Sequence, residues 1–208
     1  METLTKATML FRCLQVIDLY MILYLTNLEI CLPHSETSAS QLIDKVYSGI
    51  KTLQQLSDVD WQQYFSERAV LAALNADVDE LNNKCLHRLE GESRTYVGID
   101  TAVEKAGEPD HSIPKEFLAT LNLSGMPAHS ITLKEGCPII LLHNLNPPKG
   151  LCNGTRLIVT KLRERVIEAM ILSGTRAGQT AFIPQLTLLT SQGSTGLSFC
   201  LKRRQFLI

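Results

Sequence analysis

The 208-residue sequence contains no G-x-x-x-x-G-K-[ST] loop, the motif whose backbone N–H groups and lysine hold nucleotide phosphates. Hydrolysis of ATP through such a loop is therefore excluded for these residues. The six cysteines form no C-x-x-C pair and no Cys/His cluster with zinc-ligand spacing. Neither a metal site nor a disulfide framework is predicted, and a reducing compartment is expected.

Long uncharged apolar runs are lacking as well. The stretch from Met9 to Leu25 is apolar, but Arg12 and Asp18 interrupt it, and it is shorter than the roughly 20 residues of a membrane span. We predict a core helix here and no membrane partner. The apolar residues that recur at helical spacing are Leu10, Leu14, Ile17, Met21 and Tyr24.

Acidic residues are scarce in the last third of the chain. Residues 1–130 carry 10 Lys and Arg against 18 Asp and Glu, whereas residues 131–208 carry 10 against 3. A concentrated positive field suits phosphate backbones, because neutralised phosphates release condensed counterions. A basic domain docked on an acidic one explains the same asymmetry, so charge alone leaves both interpretations open.

Residues 1–90 have the pattern of an α/β domain with a parallel sheet. A helix is predicted near Ala39, and Asp58–Phe65 indicates another helical turn. The run Ala69–Leu74 is typical of a buried parallel strand, and a helix with an apolar face follows it. A strand, a tight turn and a helix in this order favour the α/β class.

Asn75 stands at the carboxyl end of that predicted strand, where ligands of parallel sheets tend to lie. The favoured interpretation is a helix cap, because Asp77, Asp79 and Glu80 follow in the first turn, where the helix dipole favours negative charge. Without a phosphate loop, no bound nucleotide is expected here that a magnesium ion would coordinate. We therefore interpret the acidic cluster as helix N-terminal charge.

The pattern changes twice more along the chain. Residues 91–129 are rich in Gly and Pro and are predicted to be a connector, mostly on the surface, with one strand (Thr95–Ile99) and one helix (Pro114–Leu121). Five short strands at regular spacing then predict a small β-barrel. They are Ser130–Lys134, Pro138–His143, Arg156–Lys161, Arg165–Leu172 and Gln179–Pro184, with a hairpin turn at residues 173–178.

Asn153-Gly154 is the dipeptide that a tight β-turn prefers, because both residues tolerate positive φ. Turn chemistry is the favoured role for Asn144, Asn153 and Gly154. The loop before them also carries Asn146 and Lys149, which could reach a nucleic-acid backbone.

Several blocks of sequence occur in a fixed order over about 160 residues. They are Leu42–Asp44, Glu67–Ala72, Asn75–Asn82, Gly91–Tyr96, Phe117–Asn122, Gly125–Pro127, Leu133–Asn144, Gly150–Val159, Phe182–Pro184 and Leu201–Phe206. In these blocks the chain resembles the C-terminal half of the Pif-type DNA helicases, the petite-integration-frequency family. It is especially similar to the helicase segment of Helitron transposons.

The resemblance implies a partial RecA-like motor domain, called 2A, with an inserted small β-barrel, called 2B. The implied boundaries are 1–90 for partial 2A with a divergent leader, 91–129 for the connector, 130–190 for 2B and 191–208 for the strand that returns to 2A. Such helicases unwind DNA 5'-to-3' with ATP and Mg, and act in DNA repair, recombination and telomere maintenance. A nuclear or mitochondrial location is implied.

The sequence also departs from the family. The first motor domain and the acidic magnesium motif do not occur in it. Family members continue past the position that corresponds to Ile208 into a motif that contacts single-stranded DNA and a motif with an arginine finger, and these two are also missing here. Where the family has Pro-Thr-Asn, this chain has Ala73-Leu74-Asn75, so only the Asn carries over. We therefore expect a gene fragment or transposon remnant that holds no cofactor itself and is catalytically inactive alone.

Three functions fit the sequence. The chain is the DNA-engaging part of a helicase, a non-enzymatic module that binds single-stranded nucleic acid, or an interaction fragment whose charged halves complement each other. Aromatic stacking platforms are few in the basic half, so weak, salt-sensitive binding is expected. The candidate DNA contacts are Asn75, Lys134, Asn144, Lys149, Asn153, Arg156, Lys202, Arg203 and Arg204. If the chain is a module that binds single-stranded nucleic acid, Lys161 is a further candidate. No catalytic residue is assigned.

Overall fold

The computed structural model describes residues 21–24, 29–31, 38–50, 63–66, 68–71, 75–104, 108–123, 125–190 and 196–208. The helices are α1 (Ala39–Val46), α2 (Asn75–Arg88) and α3 (Lys115–Thr120), with a 3-10 turn at Pro147–Lys149. The strands are β1 (Met21–Tyr24), β2 (Glu29–Cys31), β3 (Arg68–Leu71), β4 (Ser93–Val97), β5 (Ile99–Val103), β6 (Pro109–Asp110), β7 (Ser130–Lys134), β8 (Pro138–Ile140), β9 (Arg156–Leu162), β10 (Val166–Ile171), β11 (Thr180–Leu189) and β12 (Cys200–Phe206). A helix of the length and apolarity needed to cross a bilayer is not found among the described residues.

Helix α1 forms where its sequence predicts. Ser38 caps it by accepting a hydrogen bond from the Gln41 N–H, and the Gln41 side chain accepts from the Ser38 N–H in return. Leu42, Ile43 and Val46 are buried on one face. The predicted helix near Ala39 is confirmed.

Strand β3 differs from its prediction. Arg68, Ala69 and Val70 are half-buried, and the strand pairs antiparallel with β1, as β1 does with β2. The expected buried parallel strand at Ala69–Leu74 is therefore wrong in its pairing. Parallel strands need a long crossover and cover on both faces, and the described residues include no parallel strand pair. The RecA-like arrangement of residues 1–90 remains a prediction.

The N-terminal core helix predicted from Met9 to Leu25 is wrong at its end, because Met21–Tyr24 is strand β1. Pairing with β3 gives these residues backbone partners that a helix would have supplied internally. Residues 1–20 lie outside the described part.

Helix α2 begins at Asn75, one residue before the start expected with Asn75 as the N-cap. Its buried Leu81 and half-buried Val78 and Cys85 lie on one face, and Leu89 follows the helix as a buried residue. Spacings of three and four residues place these positions together. The strand and helix thus occur in the predicted order, although the sheet differs.

The central feature is a seven-stranded sheet in the order β6-β5-β12-β11-β10-β9-β8, in which every pairing is antiparallel. The predicted small barrel is wrong, because no closed barrel forms among the described strands. Closure requires the edge strands to pair with each other. Instead β7, which directly precedes the edge strand β8, pairs with β4 in a separate two-stranded sheet.

Two apolar cores cover opposite faces of the sheet. Ala181 and Ile183 of β11 belong to the first core, whereas Leu188 of the same strand packs against the second. Successive side chains alternate between faces, so positions 183 and 188 point to opposite sides. In β12, Phe206 and Leu201 divide between the cores in the same way. The first core therefore covers one half of one face of the sheet, and the second core covers the other half of the opposite face.

The predicted surface connector at residues 91–129 contributes to the fold more than expected. It holds three strands, β4, β5 and β6, where one was predicted, and β5 pairs with β12 inside the main sheet. The predicted helix is confirmed as α3, whose Leu118 is buried. Gly98 separates β4 from β5 and donates its N–H to the His129 carbonyl at 2.6 Å. Because β4 pairs with β7 and β5 pairs with β12, residues 93–103 contribute a strand to each of two sheets.

Candidate nucleic-acid interface

Strand β12 carries three of the candidate DNA contacts in consecutive positions. Lys202 and Arg204 are exposed, whereas Arg203 between them is 0% exposed. The alternation of a strand separates the basic run into two outward cations and one inward cation. The sequence prediction of a DNA contact at Arg203 is therefore wrong.

Arg203 lies in the second core beside Asp100. Its Nε and Nη2 donate to the two Asp100 carboxylate oxygens at 2.7 and 2.8 Å. Its Nη1 and Nη2 also donate to the carbonyl oxygens of Leu118, Leu121 and Pro127, at and after the end of α3. This bidentate pair satisfies a charge that burial would otherwise make costly.

Four side chains surround Lys202 and Arg204 on the half of the sheet that neither core covers. Arg204 has Ile99 and Thr187 as cross-strand neighbours, and Lys202 has Thr101 and Leu189. Thr101 is half-buried and the others are exposed. We call these six residues the basic face, namely Ile99, Thr101, Thr187, Leu189, Lys202 and Arg204.

The basic face carries two positive charges and no carboxylate. Neither Lys202 nor Arg204 forms an ion pair with any carboxylate of the described residues. Their head groups are consequently available to an anion from outside the chain. Exposed cations beside sheet hydroxyls are suited to phosphate oxygens.

Two other candidate contacts are tied to the backbone instead. Lys134 Nζ donates to the Leu89 carbonyl at 2.7 Å, just past the end of α2. Arg156 Nη2 donates to the carbonyls of Phe65 and Arg68 at 2.6 and 3.0 Å. Burial lowers the pKa of Arg156 from its ordinary value, an effect that Tyr47 opposes. Lys134 thus joins β7 of the two-stranded sheet to the end of α2, and Arg156 joins β9 of the seven-stranded sheet to Phe65 and β3. The sequence prediction did not give either cation this structural role.

The loop residues act largely as turn chemistry. The Asn153 N–H donates to Asn144 Oδ1 at 2.8 Å, and Gly154 has φ of 85° and donates its N–H to the Leu141 carbonyl. Lys149 is exposed at the end of the 3-10 turn. The favoured interpretation of Asn144, Asn153 and Gly154 thus agrees with the geometry. Asn75 begins α2, and its side chain is outside the described part.

A cavity of about 580 Å³ lies between α1, α2, β3 and the sheet. Tyr47, Cys85, Cys137 and Arg156 are among its lining residues. Burial raises the pKa of Tyr47 to about 12, of Cys85 to about 11 and of Cys137 to about 12. These groups stay neutral at physiological pH, so the two thiols are poor nucleophiles and poor metal ligands. Among the described residues, no group of His, Cys, Asp or Glu is arranged to hold a metal ion.

Sequence reasoning missed the neighbours that define the basic face. Ile99 and Leu189 are 63% and 58% exposed, yet each lies in an apolar pattern that usually indicates a core strand. Asp100 was missed as well, because its partner is 103 positions away in the chain. In a strand, Arg203 shares a side with the apolar Leu201, and this spacing of two is a signal that could have separated Arg203 from Lys202 and Arg204.

Comparison with known proteins finds that part of this sheet-rich region is similar to a domain of DNA helicases. A family model described as "DNA helicase Pif1, 2B domain" matches residues 116–162, from α3 through β9. The chain therefore carries a region similar to the 2B domain of Pif1 helicases, and the resemblance seen in the sequence is confirmed over this part.

One similar protein and two similar solved structures bear the Pif1 name. The ATP-dependent DNA helicase PIF1 of Xenopus laevis is 33% identical over 88 residues, which are 42% of this chain and 12% of that protein. Unliganded Pif1 from Bacteroides sp is 26% identical with a TM-score of 0.43, covering 64% of this chain and 36% of that one. Bacteroides Pif1 bound to ssDNA is 22% identical with a TM-score of 0.40, covering 82% and 38%. The chain thus spans well under half the length of these relatives.

Proposed function

We propose that this chain is the DNA-engaging part of a Pif-type ATP-dependent 5'-to-3' DNA helicase. The similarity of residues 116–162 to the Pif1 2B domain supports the proposal. The exposed cations Lys149, Lys202 and Arg204 supply the positive charge that a phosphate backbone requires. In this proposal the chain contributes single-strand binding and half of a motor.

ATP and Mg enter only through a first motor domain that carries a phosphate loop, because these 208 residues contain none. Alone, the chain is then inactive as an ATPase. A nuclear or mitochondrial site of action in DNA repair, recombination or telomere maintenance is part of the same proposal, as is descent from a Helitron-like element.

The alternative is a non-enzymatic module that binds single-stranded nucleic acid. The sequence observation that favours it is the absence of the phosphate loop, and the structural one is that the basic face stands open in the chain by itself. Both functions require single-strand binding, but only the first requires coupling to ATP.

A titration of the full chain with a fluorescent thymidine oligonucleotide at two salt concentrations tests the shared requirement. Binding that weakens as salt rises is expected. Absence of binding at the lower salt would overturn both functions and leave an interaction fragment. Joining this chain to a phosphate-loop motor domain of the family then separates the two: DNA-stimulated ATP hydrolysis favours the helicase, and unchanged hydrolysis favours the module.

A further inference from the structure

We propose that the basic face holds the sugar–phosphate backbone of a single strand along β12 and contacts no bases. This inference rests on the proposed function and specifies where the strand lies and what is recognised. Single-stranded DNA and RNA share this backbone chemistry, so the face accepts either.

The spacing of the two cations carries the first step. Lys202 and Arg204 lie two residues apart on one strand, so their side chains leave the sheet on the same side, separated by a rise of roughly 6.6 Å. That rise is comparable to the spacing of successive phosphates in an extended single strand. Each cation can therefore contact one phosphate of a strand that runs parallel to β12, and the Arg204 guanidinium can contact its phosphate through two N–H groups.

The neighbours of the cations carry the second step. Each cation is flanked by one threonine hydroxyl and one exposed aliphatic side chain across the two adjoining strands. The hydroxyls of Thr101 and Thr187 can donate to phosphate oxygens. Ile99 and Leu189 present apolar surface of the kind that packs on a sugar ring.

The lack of a stacking partner carries the third step. None of the six residues of the basic face is aromatic, and binding that uses bases depends on aromatic platforms. Phe182 is 61% exposed, but it projects from the opposite side of the sheet, as its even spacing from Leu188 of the second core requires. A strand on the basic face thus has partners for its phosphates and sugars and none for its bases.

The buried ion pair explains why this face exists. Arg203 is paired across the strands with Asp100, and a shift of β12 by one residue would expose Arg203 and bury Lys202 and Arg204. Burying two cations without a carboxylate is costly. The pair therefore fixes the register that points Lys202 and Arg204 outward together.

The test compares the full chain with the double variant Lys202→Gln and Arg204→Gln by oligonucleotide titration from 50 to 200 mM salt. Each lost phosphate contact lowers the salt slope by about 0.7 for a single strand, so the double variant should lose about 1.4. This amounts to about sevenfold less salt sensitivity across that range. Lys115→Gln is the matched control, because it removes an exposed cation from α3, which packs on the opposite face of the same sheet, and it should leave the slope unchanged.

Three probes test the mode of recognition. An oligomer of abasic deoxyribose phosphates and an oligouridine should bind within about threefold of oligothymidine, and a thymine peptide nucleic acid, which has bases on an uncharged backbone, should not bind. Loss of binding to the abasic oligomer would overturn recognition without bases. An unchanged slope in a folded double variant that still binds oligothymidine would overturn this location alone, whereas no oligothymidine binding by the unmodified chain would overturn the proposed function with it.

Discussion

Arg203 and Asp100 form a buried bidentate ion pair between neighbouring strands, with N–O distances of 2.7 and 2.8 Å. Asp100 Oδ2 also lies 2.7 Å from His129 Nδ1. The carboxylate thus joins β12 to the segment that leads into β7. Three polar groups that are far apart in the chain thus meet, with Arg203 and Asp100 buried and His129 partly exposed.

Replacing Asp100 with Ala should destabilise the fold strongly. The Arg203 guanidinium would stay buried without its counter-charge, which typically costs about 3–5 kcal/mol. Urea unfolding would measure the loss. The double variant Asp100→Leu and Arg203→Met should recover part of it, since no unpaired charge remains. Lys202→Ala is the control, and its exposed position predicts a change within about 0.5 kcal/mol. An equal loss in the control would contradict this account of the pair.

Replacing Lys134 with Met should lower stability without affecting nucleic-acid binding. The side chain donates to the Leu89 carbonyl, and a hydrogen bond from a charged group contributes about 1.5–3 kcal/mol. Methionine keeps much of the apolar stem and removes the donor. Urea unfolding should detect the loss, and an oligonucleotide titration should give an unchanged salt slope. A slope lowered by about 0.7 would show that Lys134 contacts a phosphate after all.

Replacing Asn144 with Ala should loosen the turn at Asn153. The Asn144 side-chain oxygen accepts the Asn153 N–H at 2.8 Å, and loss of such a bond costs about 1 kcal/mol. Asn144→Asp keeps an acceptor at the same place and should restore most of the stability. Hydrogen exchange at the Asn153 amide would report the bond directly. Equal exchange in both variants would mean that the oxygen does not hold this turn.

Local periodicity predicted several elements well. The face of α1, the start of α2 and the hairpin between β10 and β11 follow from spacing and turn residues within a few positions. The pairing of strands did not follow. Whether β7 joins β8 or β4 depends on contacts some 40 residues apart, and a short apolar strand has no local signal for its partner. The predicted barrel failed for this reason.

The candidate DNA contacts also differ in what the sequence could predict about them. Lys149, Lys202 and Arg204 are exposed, and their contacts with DNA stay predictions. Arg203, Arg156 and Lys134 have the same charge, but distant carboxylate or carbonyl oxygens engage them. A basic residue in a sequence shows charge and not accessibility, since a buried guanidinium is acceptable wherever the fold brings acceptors to it.

The free energy of unfolding should fall as the pH rises above about 9, in part because of Cys137. Burial raises the pKa of its thiol from 9.0 to about 12, so the unfolded chain loses this proton before the folded chain does. The stability contributed by the neutral thiol is present below pH 9 and is lost as the pH rises toward 12. The slope for one such group approaches about 1.4 kcal/mol per pH unit. Tyr47 and Cys85 act in the same direction.

Urea unfolding of the full chain and of Cys137→Val at pH 8, 9 and 10 measures this contribution. Valine keeps a buried apolar side chain and removes the ionisable thiol, so the variant should lose less stability between pH 9 and 10 than the unmodified chain. The two curves are aligned at pH 8, where the Cys137 thiol is neutral in both the folded and the unfolded chain. The unmodified chain should then fall below the variant at pH 9 and pH 10. Parallel curves across the whole range would show that Cys137 ionises as readily in the folded chain as in the unfolded one, and that its place in the first core does not exclude water.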